Sequence, residues 1–412
     1  MLDQSFDRRQ FLKRSSAAAL AFSSVPHMLA STLQAADETP KASQFIAGKS
    51  DQLLVHNAKV GEIETPLAVL REHRVTPKEL LFIRNNQVLP GSLTLKAGAL
   101  SDWAIELSGL IDAPRTIRGD ELAKLEQTDV EMVLQCSGNG RSKFSKAMKA
   151  DGVQWQHGAM GNIKVGGVRL RSLLDKLGVR IGASAAFVAA EGKDAPDKAD
   201  APDFEHSIPL ADALDRSLLV LSLNGEPLPL AHGGPVRLIT PGFYATMNVK
   251  WLSRLRFEAA ESANYHHMPR YRTPKRPISP GTKYTFSHEN SDPNWEMKIK
   301  SVIFEPLDGD TVTAGPVSIR GVAWNDGQAK LDAVEVSFDN GRSWRRAELE
   351  LSNSPFAWHH WKVTAPLAVG AVSIQCRAVD AIGRTQPLDG TVHWNQAGYA
   401  WNGVDEININ VR

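Results

Sequence analysis

Only two cysteines, Cys136 and Cys376, occur in the 412 residues of this chain, and they stand far apart in the sequence. Two thiols cannot build a disulfide framework, a four-cysteine zinc site or a four-cysteine iron–sulfur site. The sequence also has no Cys-x-x-Cys-His motif for covalent haem attachment. We therefore expect a fold that depends on hydrophobic cores, and any redox chemistry would need a cofactor held mainly by other residue types.

Cys136 ends an apolar run and begins a turn of small and polar residues, in the stretch Val133-Leu-Gln-Cys-Ser-Gly-Asn-Gly-Arg141. Arg141 lies close in the sequence, and a nearby cation favours the ionised form of a thiol. A thiolate at this position would serve as a metal ligand or as a nucleophile. The alternative is that Cys136, like most free cysteines, only fills apolar space.

The overall composition argues against several classes of partner. Lys and Arg number 47 against 46 Asp and Glu, and 42% of the residues are hydrophobic. With so small a net charge, the chain as a whole is not expected to attract nucleic acid or an anionic membrane. The length predicts two to three domains, each able to bury a core of its own.

The N-terminus has the pattern of an export signal. Paired arginines in Arg8-Arg9-Gln10-Phe11-Leu12-Lys13 precede a weakly apolar run over 15–25, and Leu33-Gln34-Ala35 resembles a cleavage site. We predict a twin-arginine signal peptide over 1–35 and a periplasmic mature protein, the alternative being a basic disordered arm. The run is too short to span a bilayer, and no other segment is apolar enough to cross one.

Residues 36–275 mix short apolar strands with short helices, without a regular βαβ rhythm, a Gly-x-Gly-x-x-Gly motif or a phosphate loop. The pattern predicts a loose polar strap over 37–51, a buried strand over 80–86 that ends in a polar pocket, and helices over 168–178 and 207–215. We expect an irregular α+β domain and not a Rossmann nucleotide site.

A linker rich in proline and basic residues is predicted over 276–298, followed by an all-β domain over 299–412. Apolar and polar residues alternate over 334–338 and 372–378, and turn signals recur at short intervals, as in an immunoglobulin-like sandwich. Cys376 is expected to point into the core of this sandwich. Five tryptophans are expected to supply its large apolar side chains: Trp324, Trp344, Trp358, Trp361 and Trp394. We assign no chemistry to this domain.

Several short motifs, in their order and spacing, resemble the sulfite oxidase family of molybdenum enzymes over essentially the whole mature chain. They are Phe82-Ile83-Arg84-Asn85-Asn86, Gln135-Cys136-Ser137-Gly138-Asn139-Gly140-Arg141, Gly161-Asn162, Gly166-Gly167-Val168-Arg169-Leu170, His232-Gly233-Gly234-Pro235-Val236-Arg237, Pro241-Gly242, Asn248-Val249-Lys250-Trp251-Leu252, Ser301-Val302-Ile303, Glu305-Pro306 and Trp394-Asn395. With the export signal, and without a segment like cytochrome b5, the chain is most similar to bacterial periplasmic sulfite dehydrogenases.

The resemblance implies roles for these residues. Cys136 would be the thiolate ligand of molybdenum, whose other sulfurs come from the pyranopterin dithiolene, and a soft thiolate suits such a metal. Arg84, Arg141 and Tyr271 would line the anion pocket as catalytic residues, with Tyr265 the rival tyrosine.

Further positions are implied to hold the molybdopterin cofactor: Phe82, Ile83, Arg84, Asn85, Asn86, Asp194, His232, Arg237, Asn248, Val249 and Lys250. His232, Arg237 and Lys250 suit a buried phosphate, whose charge would be very costly if left unpaired. Asp194 would accept hydrogen bonds from the pterin amino groups. His206 is interpreted as a loop histidine with a satisfied partner.

Two departures from the animal enzymes leave the substrate open. Asn86 stands where those enzymes have histidine, and Ala397 stands where they have an arginine near the substrate pocket. One cation fewer weakens the argument for sulfite specifically, but leaves the metal assignment unchanged.

The expected function is oxidation of sulfite to sulfate by oxygen-atom transfer. With no haem signature in the chain, the electrons would pass to a separate c-type cytochrome, and the sandwich would form a homodimer. The alternatives are a related molybdenum oxidoreductase acting on a sulfane or another small substrate, and an exported binding protein without cofactor.

Overall fold

The computed structural model describes residues 40–87, 100–194 and 201–412. The predicted signal peptide over 1–35 lies outside the described residues. The expected α+β class is confirmed, because short helices accompany two five-stranded sheets before residue 260 and a β-rich part follows. In the described parts of the chain, every helix is too short or too polar to cross a bilayer.

Short strands dominate the first part of the chain. They are β1 (Leu54–Asn57), β2 (Glu62–Glu64), β3 (Ala104–Gly109), β4 (Arg115–Arg118), β5 (Thr128–Gln135), β6 (Met160–Arg169), β7 (Phe187–Gly192), β8 (Glu205–Pro209), β9 (Leu218–Leu223), β10 (Glu226–Pro227), β11 (Arg237–Ile239), β12 (Leu252–Glu258), β13 (Arg272–Pro274) and β14 (Ser291–Pro293). One sheet has the order β10-β9-β6-β5 with β11 also paired to β9, and the other has the order β4-β3-β12-β7-β8. Only β3 and β12 pair in parallel among these strands.

The helices of this part are short. The α-helices are α1 (Leu67–Leu70), α2 (Gly119–Ala123), α3 (Leu170–Leu177) and α4 (Leu210–Arg216), and the 3-10 helices are Ala42–Gln44, Leu100–Asp102, Arg141–Lys146, Leu230–His232, Ala245–Met247 and, near the C-terminus, Gly390–His393. Helix α3 buries the leucines on one face and ends at Gly178, whose φ of +63° is left-handed. It begins later than predicted because Val168 and Arg169 still pair with β9.

Two predicted elements differ from the structure. Residues 207–209 belong to strand β8, which pairs with β7, so the helix begins only at Leu210. The stretch 80–86 is buried but forms no regular strand, and it joins β2 through a single bridge between Ile63 and Ile83. The polar end of this stretch makes side-chain hydrogen bonds and does not join a β-ladder. The apolar run alone did not indicate this.

The C-terminal part is a two-layered β-structure. Its strands are β15 (Lys300–Glu305), β16 (Thr311–Val312), β17 (Gly315–Trp324), β18 (Leu331–Ser337), β19 (Arg345–Arg346), β20 (Glu348–Glu350), β21 (His359–Leu367), β22 (Gly370–Asp380) and β23 (Asp405–Val411). They form sheets of order β15-β17-β21-β20 and β16-β23-β22-β18-β19, with a common apolar core. Cys376 lies fully buried in that core, as predicted, where burial raises the pKa of its thiol well above the usual value.

The tryptophans do not all serve the sandwich, so that prediction was wrong in part. Trp361 packs in the sandwich core, whereas Trp324 and Trp358 join the main core together with residues of the first part of the chain. Trp394 packs with Phe144 in a separate small cluster. Trp344 lies near the surface, with its ring 4.2 Å from the guanidinium carbon of Arg377. Because a bulky apolar side chain can fill any interior, residue type alone did not reveal which core each one enters.

The predicted linker carries structure of its own. Strand β14 within 276–298 pairs with β13 just before it, and Arg272 of β13 is almost completely buried. Its guanidinium donates to Glu261 over 2.7 Å and to the hydroxyl of Ser291 over 2.9 Å. The domain boundaries at 275 and 299 stay a prediction.

Trp361 and Trp344 provide a matched test of the sandwich core. We expect Trp361→Ala to lower the free energy of unfolding by about 3–5 kcal/mol, because a large cavity replaces a fully buried side chain. Trp344→Ala should cost only about 1–2 kcal/mol, since it loses one cation–π contact and one hydrogen bond to the carbonyl of Gly341 at a partly exposed position. Denaturant unfolding of both variants measures the difference, and equal losses would contradict the assigned core.

Candidate active site

Cys136 follows directly after strand β5 and opens a loop of small and polar residues. Its amide donates to the carbonyl of Ala159 over 2.9 Å, and its carbonyl accepts from the amide of Asn139 over 3.0 Å. The amide of Gly138 points at the sulfur from 3.4 Å. The side chain is 6% exposed and lines a cavity, so its sulfur is held by the loop while one side faces the cavity.

The ionisation of Cys136 differs from the simplest expectation. Burial raises the pKa of its thiol, and the charges of Arg84 and Arg141 offset only part of that increase. Desolvation therefore outweighs the nearby cations in the protein alone. A bound metal ion would remove this cost, because coordination deprotonates a thiol outright.

Arg84, Asn86 and Tyr271 form a hydrogen-bonded triangle on the open side of Cys136. Arg84 Nη2 donates to Asn86 Oδ1 over 2.9 Å and to Tyr271 Oη over 3.2 Å, and Tyr271 Oη donates to Asn86 Oδ1 over 2.7 Å. Glu62 pairs with Arg84 Nε at 3.4 Å. Burial works to lower the pKa of Arg84, but Tyr271, Glu62 and Cys136 outweigh it and the pKa rises, so this guanidinium is a fixed positive charge.

Arg141 approaches the same region from a second, adjoining cavity that Arg84 and Tyr271 also line. Its Nε donates to the carbonyl of Ala397 over 2.8 Å and its Nη1 to that of Val153 over 2.7 Å. A Cβ added at Gly138 would lie 2.6 Å from Arg141 Nη2, so only glycine lets this guanidinium come so close to the Cys136 loop.

Tyr271, not Tyr265, occupies the site. Tyr271 is 3% exposed and its ring stacks on Tyr399, with ring centroids 5.0 Å apart, whereas Tyr265 is 50% exposed. The backbone of Tyr271 has a φ of +53°, which is costly for a residue with a side chain. The stacking and the hydrogen bonds to Arg84 and Asn86 hold the residue in this conformation.

Four basic side chains form a cluster at the Cys136 cavity, where His232, Arg237 and Lys250 line the cavity and Lys49 contacts His232. Lys49 Nζ lies 2.8 Å from His232 Nε2, and it also donates to the carbonyl of Leu81 over 2.7 Å. Lys250 Nζ donates to Asn85 Oδ1 over 2.7 Å, while Arg237 donates to the carbonyl of His232 over 3.1 Å. The partners are neutral groups, so the positive charge of the cluster is not neutralised within it.

Burial works against charge on every member of this cluster. It lowers the pKa of Lys49 to about 7 and that of Arg237 to about 9. Burial and the neighbouring cations also lower the pKa values of His232 and Lys250 well below their usual values. A bound anion would reverse these shifts, because an opposite charge favours the protonated forms.

Two buried polar atoms in the same cavity have no hydrogen-bond partner among the described residues. They are Asp194 Oδ2 and Asn248 Nδ2, an acceptor and a donor. Burial raises the pKa of Asp194 to about 7, with Lys250 opposing. Buried polar atoms are rarely left unpaired in folded proteins, so these two indicate a ligand that donates to Asp194 and accepts from Asn248.

The structure brings most of the predicted cofactor residues together in one cavity, lined by Phe82, Arg84, Asn85, Asn86, Asp194, His232, Arg237, Asn248 and Lys250 together with Cys136. Ile83 and Val249 instead are buried beside it, and their backbone groups hold neighbouring segments in place. Ile83 exchanges two hydrogen bonds with Ile63, and the carbonyl of Val249 accepts from Leu238.

Several functional residues were missed by sequence reasoning. The described part of the predicted strap, residues 40–51, is not loose, because Ala42 and Ile46 are buried and Lys49 contacts His232 of the cavity lining. Tyr399 and the carbonyl of Ala397 reach the site from the part of the chain to which we assigned no chemistry. The position of Lys49 among small and apolar residues was a weak indication that it is buried. Its partner His232 could not be predicted, because the two residues are far apart in the sequence.

His206 is also misplaced by the prediction. It lies in strand β8, completely buried, with Nδ1 3.2 Å from His267 Nδ1 and Nε2 3.2 Å from the hydroxyl of Thr246. Burial and the neighbouring His267 hold its pKa well below the usual value. It is therefore a neutral interior histidine with partners, not a loop residue.

Two family profiles match two successive parts of the chain. A family profile described as "Oxidoreductase molybdopterin binding domain" matches residues 93–266, and one described as "Mo-co oxidoreductase dimerisation domain" matches residues 291–411. Sulfite oxidase from Gallus gallus is 31% identical over 384 residues, which cover 89% of this chain and 81% of the chicken protein. This chain belongs to the sulfite oxidase family of molybdopterin-dependent oxidoreductases.

Other members of the sulfite oxidase family are similar over comparable lengths. The mitochondrial sulfite oxidase of Mus musculus is 33% identical over 373 residues, covering 87% of this chain and 66% of the mouse protein. The chain thus spans about two-thirds of the length of that relative. The crystal structure of the sulfane dehydrogenase SoxCD from Paracoccus pantotrophus matches with a TM-score of 0.70 and 26% identity, covering 85% of this chain and 86% of that chain.

The residues of this family member fit molybdopterin. The basic cluster of Lys49, His232, Arg237 and Lys250 suits a phosphate dianion, and the unpaired Asp194 Oδ2 suits the amino groups of a pterin. Cys136, which lines the same cavity, offers one soft thiolate to the metal.

Lys49 and Lys41 test the phosphate end of the cavity. We expect Lys49→Met to lose molybdopterin during dialysis at least about tenfold faster than the wild type, because a charge-assisted hydrogen bond of about 1.5–3 kcal/mol is removed. Lys41→Met, at an exposed position of the same segment, should behave like the wild type. Fluorescence of the released pterin and metal analysis measure the loss. Equal retention by the two variants would exclude Lys49 from the cofactor site.

Proposed function

We propose that this member of the sulfite oxidase family is a molybdenum-dependent sulfite dehydrogenase. In the overall reaction, sulfite and water give sulfate, two protons and two electrons. The observation that carries the proposal is the placement of Arg84, Arg141 and Tyr271 on the open side of Cys136. Two guanidiniums and a phenol are the groups expected around a small doubly charged oxyanion.

Molybdenum held by Cys136 and the pterin would supply the oxygen-atom transfer and accept the electrons. The protein's own residues position the anion. Arg84 is fixed by Glu62 and Asn86, and Arg141 is fixed by two carbonyls, so both guanidiniums are oriented before the substrate arrives. Such preorganised donors stabilise developing charge without reorganisation. Arg141 Nη2 has no hydrogen-bond partner in the described ranges and is available to a substrate oxygen.

The partners and location form part of the proposal. The twin-arginine pattern at 8–13 supports export to the periplasm, where a separate c-type cytochrome would accept the electrons one at a time. The match of residues 291–411 to a dimerisation domain supports a homodimer formed through the C-terminal sandwich.

A second candidate is oxidation of a sulfane or another small sulfur compound. It is favoured by the similarity to the sulfane dehydrogenase SoxCD and by the neutral side chains Asn86 and Ala397 at the substrate side. A carrier-bound or less charged substrate needs fewer cations than sulfite does.

Steady-state reduction of cytochrome c separates these candidates. Metal-replete protein, from a host that makes molybdopterin, should reduce cytochrome c on addition of sulfite and respond more weakly to sulfane donors. The reverse preference would support the second candidate and contradict ours. Metal analysis provides the control, because protein that takes up no molybdenum in such a host would instead be an exported binding protein.

Tyr271 and Tyr265 give a matched pair for the role of the phenol. We expect Tyr271→Phe to lower kcat/KM for sulfite about 10- to 100-fold, since Arg84 loses a partner and the reacting oxygen loses a hydroxyl. Tyr265→Phe removes a hydroxyl from an exposed ring and should change kcat/KM less than about twofold. Similar losses in both variants would show that Tyr271 has no special place in the reaction.

A further inference from the structure

Arg270 is a further arginine at the cavity that holds Arg84, Arg141 and Tyr271. It is only partly exposed, and its guanidinium has no hydrogen bond or ion pair with any residue that the structure describes. Its Cζ lies 5.7 Å from the ring centroid of Tyr271 and 5.6 Å from that of Tyr265. The guanidinium is therefore held by two aromatic rings while its donors stay unused.

The other charged groups at this cavity all have a hydrogen-bond or ion-pair partner. Arg84 pairs with Glu62 at 3.4 Å, and Arg272 donates to Glu261 over 2.7 Å. Asp151, a further carboxylate in the lining, accepts from Gln396 over 3.0 Å and forms no ion pair with a described residue. The positive charge of Arg270 is thus left without an anionic partner at the edge of the substrate site.

The backbone fixes where Arg270 can reach. Its amide donates to the carbonyl of Tyr265 over 3.3 Å, which closes the loop over 265–270. The next residue, Tyr271, is anchored by its hydroxyl and by stacking on Tyr399. Because its neighbour Tyr271 is anchored in the site, the Arg270 side chain starts from a fixed point in the lining of the same cavity.

Ala397 lines this cavity as well and brings no charge to it. Its contribution is the carbonyl that accepts from Arg141 Nε over 2.8 Å. Position 397 therefore contributes no cation, while the unpaired cation at position 270 lines the same cavity.

We propose that Arg270 supplies the third guanidinium of the oxyanion site, beside Arg84 and Arg141, and so selects a doubly charged substrate. The inference rests on the proposed function, and it names the residue that distinguishes a free sulfite-like dianion from a less charged sulfur compound. An arginine with unused donors and restricted motion binds an oxyanion at a small entropic cost.

The test compares Arg270→Gln with Arg276→Gln in the molybdenum-loaded protein. Arg276 is exposed in the same segment and lines neither the Cys136 cavity nor the adjoining one, so its variant removes the same charge away from the site. We expect Arg270→Gln to raise KM for sulfite about 10- to 100-fold with kcat changed less than about threefold. Arg276→Gln should leave both constants within about twofold of the wild type.

Sulfate binding provides a readout that does not depend on turnover. Isothermal titration with sulfate should show the affinity of Arg270→Gln reduced by a factor similar to the change in KM. Arg270→Lys should recover part of the affinity, because it keeps the charge but loses the planar pair of donors. The double variant Arg270→Gln/Ala397→Arg should recover most of it, since the cation returns to the same cavity from another position.

Failure of the inference and failure of the proposed function are distinguishable. Wild-type protein without sulfite activity whose sulfate affinity still depends on Arg270 would contradict only the proposed function. Active wild-type protein whose KM and sulfate affinity are unchanged in Arg270→Gln would overturn the role of Arg270. Equal weakening of sulfate binding in Arg270→Gln and Arg276→Gln would overturn that role as well. Molybdenum content and circular dichroism establish that each variant is folded and loaded, and Arg270→Lys serves if the glutamine variant is not.

Discussion

The constraint on which this structure depends is a buried positive charge that the protein does not neutralise. Lys49, His232, Arg237 and Lys250 form a cluster at the Cys136 cavity, and their hydrogen-bond partners outside the cluster are neutral groups. Desolvation lowers the pKa of each of them, which means that the fold on its own disfavours the charged cluster. Such an arrangement is stable as a set of charges only with an anion between them, and the phosphate of molybdopterin meets that requirement.

Arg84 connects the cofactor end of the site with the substrate end. In the motif 82–86 it comes directly before Asn85, which accepts from Lys250, and Asn86, which accepts from Arg84 itself and from Tyr271. A single short segment therefore contacts both the phosphate cluster and the oxyanion pocket. The C-terminal part of the chain completes the pocket through Tyr399 and the carbonyl of Ala397, so the site depends on both halves of the fold.

How much the sequence could reveal depended on whether a feature is local. The strand before Cys136, the helix ended by Gly178 and the buried Cys376 follow from apolar periodicity and turn residues, and the structure contains all three. The lining of the cavity could be predicted only from the family resemblance, because no local sequence pattern connects Asp194 with Lys250. Features that arise from distant contacts were missed for a physical reason. Lys49 contacts a residue far away in the sequence, and Arg270 has a charge without a partner among the described residues. Neither property produces a periodic pattern in the sequence.

The most direct test of the account is X-ray absorption at the molybdenum edge of the purified wild-type protein and of Cys136→Ser. We expect molybdenum in both proteins, bound to sulfur, with one sulfur neighbour fewer in the variant and with pterin still present. An unchanged sulfur count in Cys136→Ser would contradict the assignment of Cys136 as the metal ligand, and with it the geometry from which the substrate site was built.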